Sequence, residues 1–254
     1  DIVALYSLPS YGEMDPSPLV AISFVVCFGF MFGDVGHGLM IFLGSAFLVK
    51  RGIMRSSLGR VMKMAAASSV VFGFLYGSIF GMEDLLPAVW LSPMHDINRL
   101  IAIAICVGVI MISLGLVLNM VKQYRAHDFG RLLFDGQGMA GLLLYWLLCA
   151  LAMIYITGTP VSDTLASVMW GGALVMLVLM VFRDVLARYL LHEKGEGESP
   201  VLNMFEIVHS LLSFLSNTAS FVRLAAFALN HVGLSLAVIM LSNMVHTLPG
   251  AIVM

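Results

Sequence analysis

Long apolar runs place the strongest limit on the fold of this chain. A transmembrane helix needs about 20 predominantly apolar residues, and only helices and closed barrels satisfy every backbone polar group inside a bilayer. Four runs have close to that length: Met64–Gly81, Leu100–Val121, Gly136–Ile156 and Leu165–Phe182. Because 60% of the residues are hydrophobic and only 11% are charged, a water-soluble domain could not cover its apolar surface. The sequence predicts an all-α, polytopic membrane helical bundle.

The first apolar region, residues 19–49, is 31 residues long, which is too long for one upright span and short for two. Its middle contains Gly33–Gly38 (GDVGHG), where three glycines and two polar side chains weaken a helix. We expect either two short spans or one broken span in this region.

The basic residues predict the orientation in the membrane. Eleven of the 13 Lys and Arg residues lie in the alternate segments 50–63, 122–131 and 183–194, which the positive-inside rule assigns to the cytoplasm. If residues 19–49 form a pair of helices, the chain has seven spans and a cytoplasmic N-terminus. The net charge of −2 gives no indication of nucleic acid binding. The three cysteines lie singly in apolar runs and indicate buried thiols, so we expect no metal ligand among them and no cofactor.

The chain divides into a juxtamembrane lead-in, membrane helices with about six spans, a cytoplasmic hinge, a long helix that carries an arginine, and a truncated end. These regions cover residues 1–18, 19–182, 183–199, 200–248 and 249–254, respectively. A long helix is predicted for residues 201–248 because this segment contains no proline and a single glycine, Gly233. At 1.5 Å per residue it would extend about 72 Å. We therefore expect one very long helix that is strongly tilted or extends past one headgroup region.

Arg223 is the only Asp, Glu, Lys or Arg residue between Ile207 and Leu248. A guanidinium stays protonated, and holding it at membrane depth costs about 2.5–3.5 kcal/mol on insertion scales. No acid lies within four residues of Arg223 in the sequence. Unless Asp34 packs against it, we expect the compensating carboxylate to come from another chain.

The polar residues around Arg223 follow one helix face. Gaps of 4, 3, 4, 3 and 7 residues separate the members of this stripe, which are His209, Ser213, Ser216, Ser220, Arg223 and Asn230. Asn217 and His231 flank it. A single serine in such a helix is most simply explained by contact with a neighbouring helix. The group of Arg223, Asn230 and His231 instead indicates an ion path, because intramembrane ionisable groups usually face a cavity or a partner.

Three motifs together resemble one family. Residues 216–224 (SNTASFVRL), followed by 228–231 (ALNH), are similar to the essential-arginine helix of the membrane stator subunit of vacuolar/archaeal-type rotary ATPases. This subunit is called subunit a, or subunit I in prokaryotes. Residues 31–38 (MFGDVGHG) and 6–16 (YSLPSYGEMDP) resemble its first-span element and the segment that leads into it. The chain thus resembles the membrane domain of subunit I without its cytoplasmic N-terminal domain and its last helix.

The resemblance implies a non-catalytic, ion-translocating subunit that forms two ion half-channels against a rotating proteolipid (c/K) ring. It implies that Arg223 drives ion release from a carboxylate of that ring. Further implied partners are the peripheral and central stalk subunits and the lipid bilayer. The resemblance and the compact loops together favour a location in the prokaryotic plasma membrane. The other implied ion-path residues are His231, Asn230, Ser220 and Asp34 for the outer route and Glu206, His209 and Ser213 for the cytoplasmic route. His37 and Asn217 are further ion-path candidates that are not assigned to a side.

Two residues depart from the family pattern. His209 stands where the family has a glutamate, with Glu206 one turn earlier as the candidate replacement, and Asn217 stands where eukaryotic members have a histidine. Two other functions stay open: a secondary transporter in which Arg223 binds an anionic substrate, and a non-transporting scaffold. A transporter of this kind predicts a broken helix near the site, whereas residues 201–248 contain no proline and one glycine.

Overall fold

The computed structural model describes residues 17–82, 89–157, 162–183, 185, 186, 189 and 200–245. The motif at 6–16, nearly all of the predicted lead-in, most of the hinge and the end at 249–254 lie outside the described residues.

Helices form the regular structure of the part of the chain described. They are α1 (Ser17–Met31), α2 (Val35–Lys50), α3 (Ser56–Tyr76), α4 (Ile97–Arg125), α5 (Phe129–Phe134), α6 (Met139–Thr157), α7 (Asp163–Val181), α8 (Pro200–Ser220) and α9 (Val222–Val245). Five helical stretches in this part are long and apolar enough to cross a membrane, and α1 and α2 are shorter apolar helices. The predicted all-α polytopic membrane fold is confirmed, and the chain is a multi-pass membrane protein.

Residues 19–49 form two helices rather than one broken helix. The chain leaves helical geometry between Met31 and Val35, and Asp34 caps α2 by accepting a hydrogen bond from the backbone N–H of His37. An aspartate at this position satisfies an N–H that has no partner inside the helix. Gly36 and Gly38, which we expected to weaken the helix, lie inside α2 and are buried.

The last apolar region contains one helical stretch of 41 residues, Leu202–Ser242, with a single turn inside it. Helix α8 ends at Ser220 and α9 begins at Val222, with a turn at Phe221. The N–H of Leu224 donates to the carbonyl of Phe221 over 2.9 Å. This bond spans three residues instead of four, which tightens the backbone locally without proline or glycine. The expected tilt stays a prediction.

The chain comprises two compact units. The first contains residues 1–107 and 221–254. In it, α3 packs against α1 and α2, and α1 packs against α9. Its core consists of buried apolar side chains from α1, α3, α4, α9 and the segment before α4: Phe30, Tyr76, Leu91, Leu100, Ala104, Leu224, Ala225 and Ala228. The hydroxyl of Tyr76 donates to the carbonyl of Phe30, which ties α3 to α1.

The second unit contains residues 108–220. Helix α7 packs against both α6 and α8 in this unit. One buried cluster joins these three helices through Ala140, Leu144, Ala173, Met180 and Ile207. A second cluster joins Leu116 of α4 to Tyr145 and Phe214. The Tyr145 hydroxyl lies 3.0 Å from that of Thr218, so the polar tip of this buried tyrosine has a partner.

Candidate functional site

The first unit contains a buried carboxylate. Asp34 is fully buried. Its Oδ1 accepts hydrogen bonds from the N–H groups of His37 (2.8 Å) and Phe80 (3.1 Å). Its Oδ2 accepts from the hydroxyl of Ser78 (3.1 Å) and the N–H of Gly81 (2.6 Å). These four donors favour the ionised carboxylate and compensate for its removal from water.

A tight turn after α3 aims these donors at Asp34. Helix α3 ends at Gly77, which adopts a left-handed conformation with φ of 71°. Phe80 (φ 52°) and Gly81 (φ 76°) also have positive φ, and the backbone groups of Ile79 and Met82 bond to each other. Only glycine adopts such angles without strain. The turn therefore folds back on itself and points two N–H groups towards one carboxylate.

Helix α3 approaches the Asp34 segment closely because Gly73 has no side chain. A β-carbon at position 73 would lie 2.6 Å from the carbonyl carbon of Asp34, which is far inside van der Waals contact. Ser69, one turn earlier on the same face, donates its hydroxyl to the carbonyl oxygens of Phe32 and Asp34. The segment between α1 and α2 is thus held against α3 by backbone contact and by a serine.

Two histidines adjoin the buried carboxylate. His37 Nδ1 lies 3.1 Å from Asp34 Oδ1. The ring of His231 on α9 lies 5.2 Å from the ring of His37 and 5.3 Å from that of Phe32, centroid to centroid. The ring of Phe80 covers the other side of His37 at 5.2 Å. The structure therefore brings together Asp34, His37 and His231, three of the residues that the sequence assigned to an ion path.

The second unit contains a buried arginine with two acidic partners. The Arg183 side chain is 8% exposed, and its Nη1 lies 2.9 Å from Asp135 Oδ1 and 2.9 Å from Glu206 Oε2. Its Nη2 donates to Asn203 Oδ1 over 3.3 Å. The amide nitrogen of Asn203 in turn donates to the carbonyl of Val181. Arg183 thus holds the first residue after α5 and one face of α8 together.

A cleft of about 540 Å³ opens beside this ion-pair network. Polar and charged side chains form most of its lining: Asn119, Gln123, Arg131, Asp135, Gln137, Arg183, Glu206, His209 and Ser210, together with Phe205. The cleft brings together Glu206 and His209, as the predicted cytoplasmic route requires. Ser213, the third residue predicted for that route, does not line it.

Helix α8 has three chemically different faces. Its buried face carries Asn203, Ile207, Ser210 and Phe214. Large apolar side chains are exposed on a second face, and Phe205 and Leu215 are 69% and 70% exposed. The third face carries the polar residues of the predicted stripe: Glu206, His209, Ser216, Asn217 and Ser220 are exposed, and Ser213 is half-buried.

The predicted stripe residues Arg223 and Asn230 of α9 lie on the exposed side of this helix. Arg223 and Asn230 are exposed, while Leu224, Ala225 and Val232 are buried. Because residues 220 and 221 belong to different units, the alignment of the stripe across that point stays a prediction. Both carboxylate oxygens of Asp34 accept hydrogen bonds from its own segment and from the turn after α3. The hydrogen bonds of Asp34 therefore do not depend on Arg223.

Several polar residues of these sites were not predicted from the sequence. The pattern of basic residues predicts only a cytoplasmic position for Arg183, and the predicted site residues do not include Asp135 or Asn203. The spacing of Asn203 and Glu206, three residues apart on one helix face, was the available signal for α8. No sequence signal indicated the hydrogen-bond donors of Ser78 and Gly81, because these residues lie 44 and 47 positions from Asp34.

The fold and these sites define a class: an all-α, multi-pass membrane protein with ionisable groups at and beneath its surface. Residues 1–83 match the V-type ATPase 116kDa subunit family. The A-type ATP synthase subunit I of Pyrococcus horikoshii is 26% identical over 252 residues, which cover 96% of this chain and 36% of that protein. V-type ATP synthase subunit I 2 of Treponema pallidum is 31% identical over 149 residues, 49% of this chain and 33% of that protein.

A third relative, A-type ATP synthase subunit I of Aeropyrum pernix, is 25% identical and covers 96% of this chain and 41% of its own length. The predicted resemblance to this family of membrane subunits is confirmed. The chain spans about a third of the length of the first two of these relatives.

Proposed function

We propose that this chain is the membrane part of the stator of a V/A-type rotary ATPase, in which Arg223 drives ion release from the carboxylates of a rotating proteolipid ring. The chain itself catalyses no bond chemistry in this scheme. The complete complex would add a peripheral stalk, a central stalk and an ATP-hydrolysing or ATP-synthesising part. The relatives named as ATP synthase subunit I support this assignment.

The observation that carries the proposal is the polar face on helices otherwise suited to lipid. Arg223 is exposed on α9, in a helical stretch apolar enough to cross a membrane. A guanidinium facing lipid costs about 2.5–3.5 kcal/mol on insertion scales. A second membrane protein that presents carboxylates to this face lowers that cost, and a proteolipid ring does so with each of its subunits in turn.

The strength of the arginine–carboxylate attraction is sufficient for this role. A ring carboxylate must be neutral, with its ion bound, while it faces lipid. At 4 Å and an effective dielectric constant of 20, a neighbouring guanidinium stabilises the ionised form by about 4 kcal/mol. This corresponds to about a thousandfold weaker ion binding. The ion therefore leaves when its carboxylate reaches Arg223, and the same positive charge repels ions that would leak between the half-channels.

The cleft beside Arg183 and the group of Asp34, His37 and His231 contain candidate lining residues for the two half-channels. The cleft beside Arg183 contains Glu206 and His209 and suits a water-filled cytoplasmic route. Asp34, His37 and His231 suit the outer route, together with Asn230 and Ser220. The distribution of basic residues supports a cytoplasmic N-terminus. The archaeal and bacterial relatives support a location in a prokaryotic plasma membrane.

The test is Arg223→Lys in the full-length subunit, assembled in its complex and reconstituted into vesicles. Lysine keeps a positive charge but loses the planar fork and is more easily deprotonated when buried. We expect the complex to assemble and coupled ion uptake to fall by about tenfold or more. A loss of about 1.4 kcal/mol, one third of the attraction of about 4 kcal/mol, changes the ion-binding equilibrium tenfold.

Arg99→Lys is the matched control, because the Arg99 side chain is 76% exposed beside Asp96. We expect it to pump like the unmodified complex. Normal ion uptake by the Arg223→Lys complex would refute the proposed role of Arg223.

The turn at Phe221 bears on the alternative of a secondary transporter. Such transporters bind substrates at interrupted helices, and this turn lies two residues before Arg223. Copurification separates the two functions. A stator subunit brings down a ring of small proteolipids, whereas a transporter purifies alone and binds an anionic solute through Arg223.

A further inference from the structure

We propose that Asp34, His37 and His231 form a binding site for a divalent transition metal, with zinc as the best-matched ion. The site consists of one carboxylate oxygen and two imidazole nitrogens, a set of ligands that zinc commonly takes from proteins. This inference concerns metal binding by the chain, and it does not depend on the proposed function.

The position of the ligand atoms supports this site. One atom from each of the three residues lies within 4.8 Å of the others. Ligand atoms around a tetrahedral zinc ion are about 3.3–3.5 Å apart, given bond lengths of about 2.0–2.2 Å. Metal binding would therefore require the two imidazole rings to turn towards each other. Their ring centroids are 5.2 Å apart and the rings are nearly perpendicular.

The second observation is that both histidines present buried nitrogen atoms without hydrogen bonds. His37 Nδ1 and His231 Nε2 are inaccessible to solvent and have no hydrogen-bond partner among the described residues. The 3.1 Å approach of His37 Nδ1 to Asp34 lacks the geometry of a hydrogen bond. Buried polar atoms are nearly always satisfied. A metal ion between the two rings satisfies both nitrogens at once.

The surroundings of the three residues are also those of a metal site. Asp34 is held by the N–H groups of His37, Phe80 and Gly81, which orient its carboxylate. Hydrogen bonds of this kind to a ligating carboxylate hold it in position and tune its basicity. The rings of Phe32 and Phe80 lie against the two histidines, while the His37 side chain as a whole is 42% exposed. A less polar environment strengthens the attraction between a metal ion and an ionised carboxylate.

The test measures zinc retained by the assembled complex that contains the full-length subunit. The complex is first treated with a chelator, then incubated with zinc, desalted and analysed for metal by mass spectrometry. We expect His37→Gln and His231→Gln each to lose one zinc ion per copy of this subunit, or to bind it at least tenfold more weakly. His209→Gln is the matched control, since His209 is exposed in the other unit, and it should retain the full amount.

Cobalt serves as a spectroscopic probe of the same site. Cobalt added to the unmodified complex should give the absorption of a tetrahedral ion with nitrogen ligands, and His231→Gln should abolish that signal. Zinc should raise the thermal midpoint of the unmodified complex but not that of the two variants, whose midpoints without zinc show whether they are folded. Equal zinc content and affinity in the unmodified complex and a folded His231→Gln complex would overturn the site. Failure of the Arg223 experiment would leave this result unaffected.

Discussion

At the scale of single residues, the ionisable groups of this chain fall into two kinds with different physical demands. Asp34 and Arg183 are buried and surrounded by hydrogen-bonding partners, whereas Arg223 is exposed on a helix of membrane-spanning character. A buried charge is tolerated only when its partners replace the water it has lost. An exposed charge in a membrane helix needs water or another protein. Burial thus distinguishes Asp34 and Arg183, which stabilise the fold from inside, from Arg223, whose side chain reaches the surface.

Arg183 allows a direct test of its structural role. Replacing it with methionine leaves Asp135, which is 21% exposed, without its nearest positive charge. Removing one partner of a buried ion pair typically destabilises a protein by about 3 kcal/mol or more. We expect Arg183→Met to lower the thermal midpoint of the chain purified in detergent. Adding Asp135→Asn to this variant should restore part of the lost stability.

The matched control for this prediction is Arg99→Met. The Arg99 side chain lies 3.6 Å from Asp96 and is 76% exposed. Exposed ion pairs contribute about 0–1 kcal/mol, so the midpoint should change little. If Arg183→Met were no more harmful than Arg99→Met, the network around Arg183 would not stabilise the second unit.

At the scale of helices, the close approach of α3 to the Asp34 segment depends on one residue without a side chain. Gly73→Ala introduces a β-carbon 2.6 Å from the carbonyl carbon of Asp34. Overpacking of this kind costs about 1–3 kcal/mol. We expect a lower thermal midpoint in detergent, together with weaker zinc retention, because the displaced segment carries one ligand of the proposed metal site.

Gly44→Ala in α2 is the control for Gly73→Ala. A β-carbon at position 44 meets no atom within 4 Å in the described structure. Alanine has the higher helix propensity by about 0.8–1.0 kcal/mol, so the midpoint should stay the same or rise. A similar loss of stability in both variants would indicate a general intolerance of α1–α3 to larger residues, and not a contact at Gly73.

The sequence predicts helix type and number better than helix ends. The hydropathy run starting at Met64 placed a span at 64–81, but α3 begins at Ser56 and includes Arg60 and Lys63. Long basic side chains reach the membrane surface from within a helix, so charge is a poor marker of where a helix starts. At the other end, Gly77 in a left-handed conformation stops α3 before the apolar run is finished.

The sites are less predictable because their partners are distant in the sequence. The stripe residues of α8 and those of α9 follow from local spacing within each helix, and most of them are exposed. The grouping of Asp34 with His231 depends on how α1 and α9 pack, and the turn that surrounds Asp34 depends on residues more than 40 positions away. No periodicity within one helix contains that information.

At the scale of the whole molecule, the proposed ring contact predicts different behaviour for two adjacent residues of α8. Ser216 lies on the polar face, and Leu215 is 70% exposed on the apolar face, one residue and about 100° away around the helix. In the assembled complex without Cys27, Cys106 and Cys149, we expect Ser216→Cys to form a disulfide with a cysteine placed beside the ring carboxylate. Leu215→Cys should face lipid and give no such product.

Denaturing gel electrophoresis after mild oxidation measures this product. Both variants should insert and assemble, which copurification of the ring establishes. Equal cross-linking at positions 215 and 216 would contradict a ring contact confined to the polar face.

The three faces of α8 also restrict how this helix can be oriented about its own long axis. A rotation of about 100°, the angle between successive residues, would move Glu206 away from Arg183 and His209 away from the polar cleft that it lines. These contacts therefore favour one rotational position of α8 about its long axis within the second unit, and the proposed ring contact would meet a face of fixed direction.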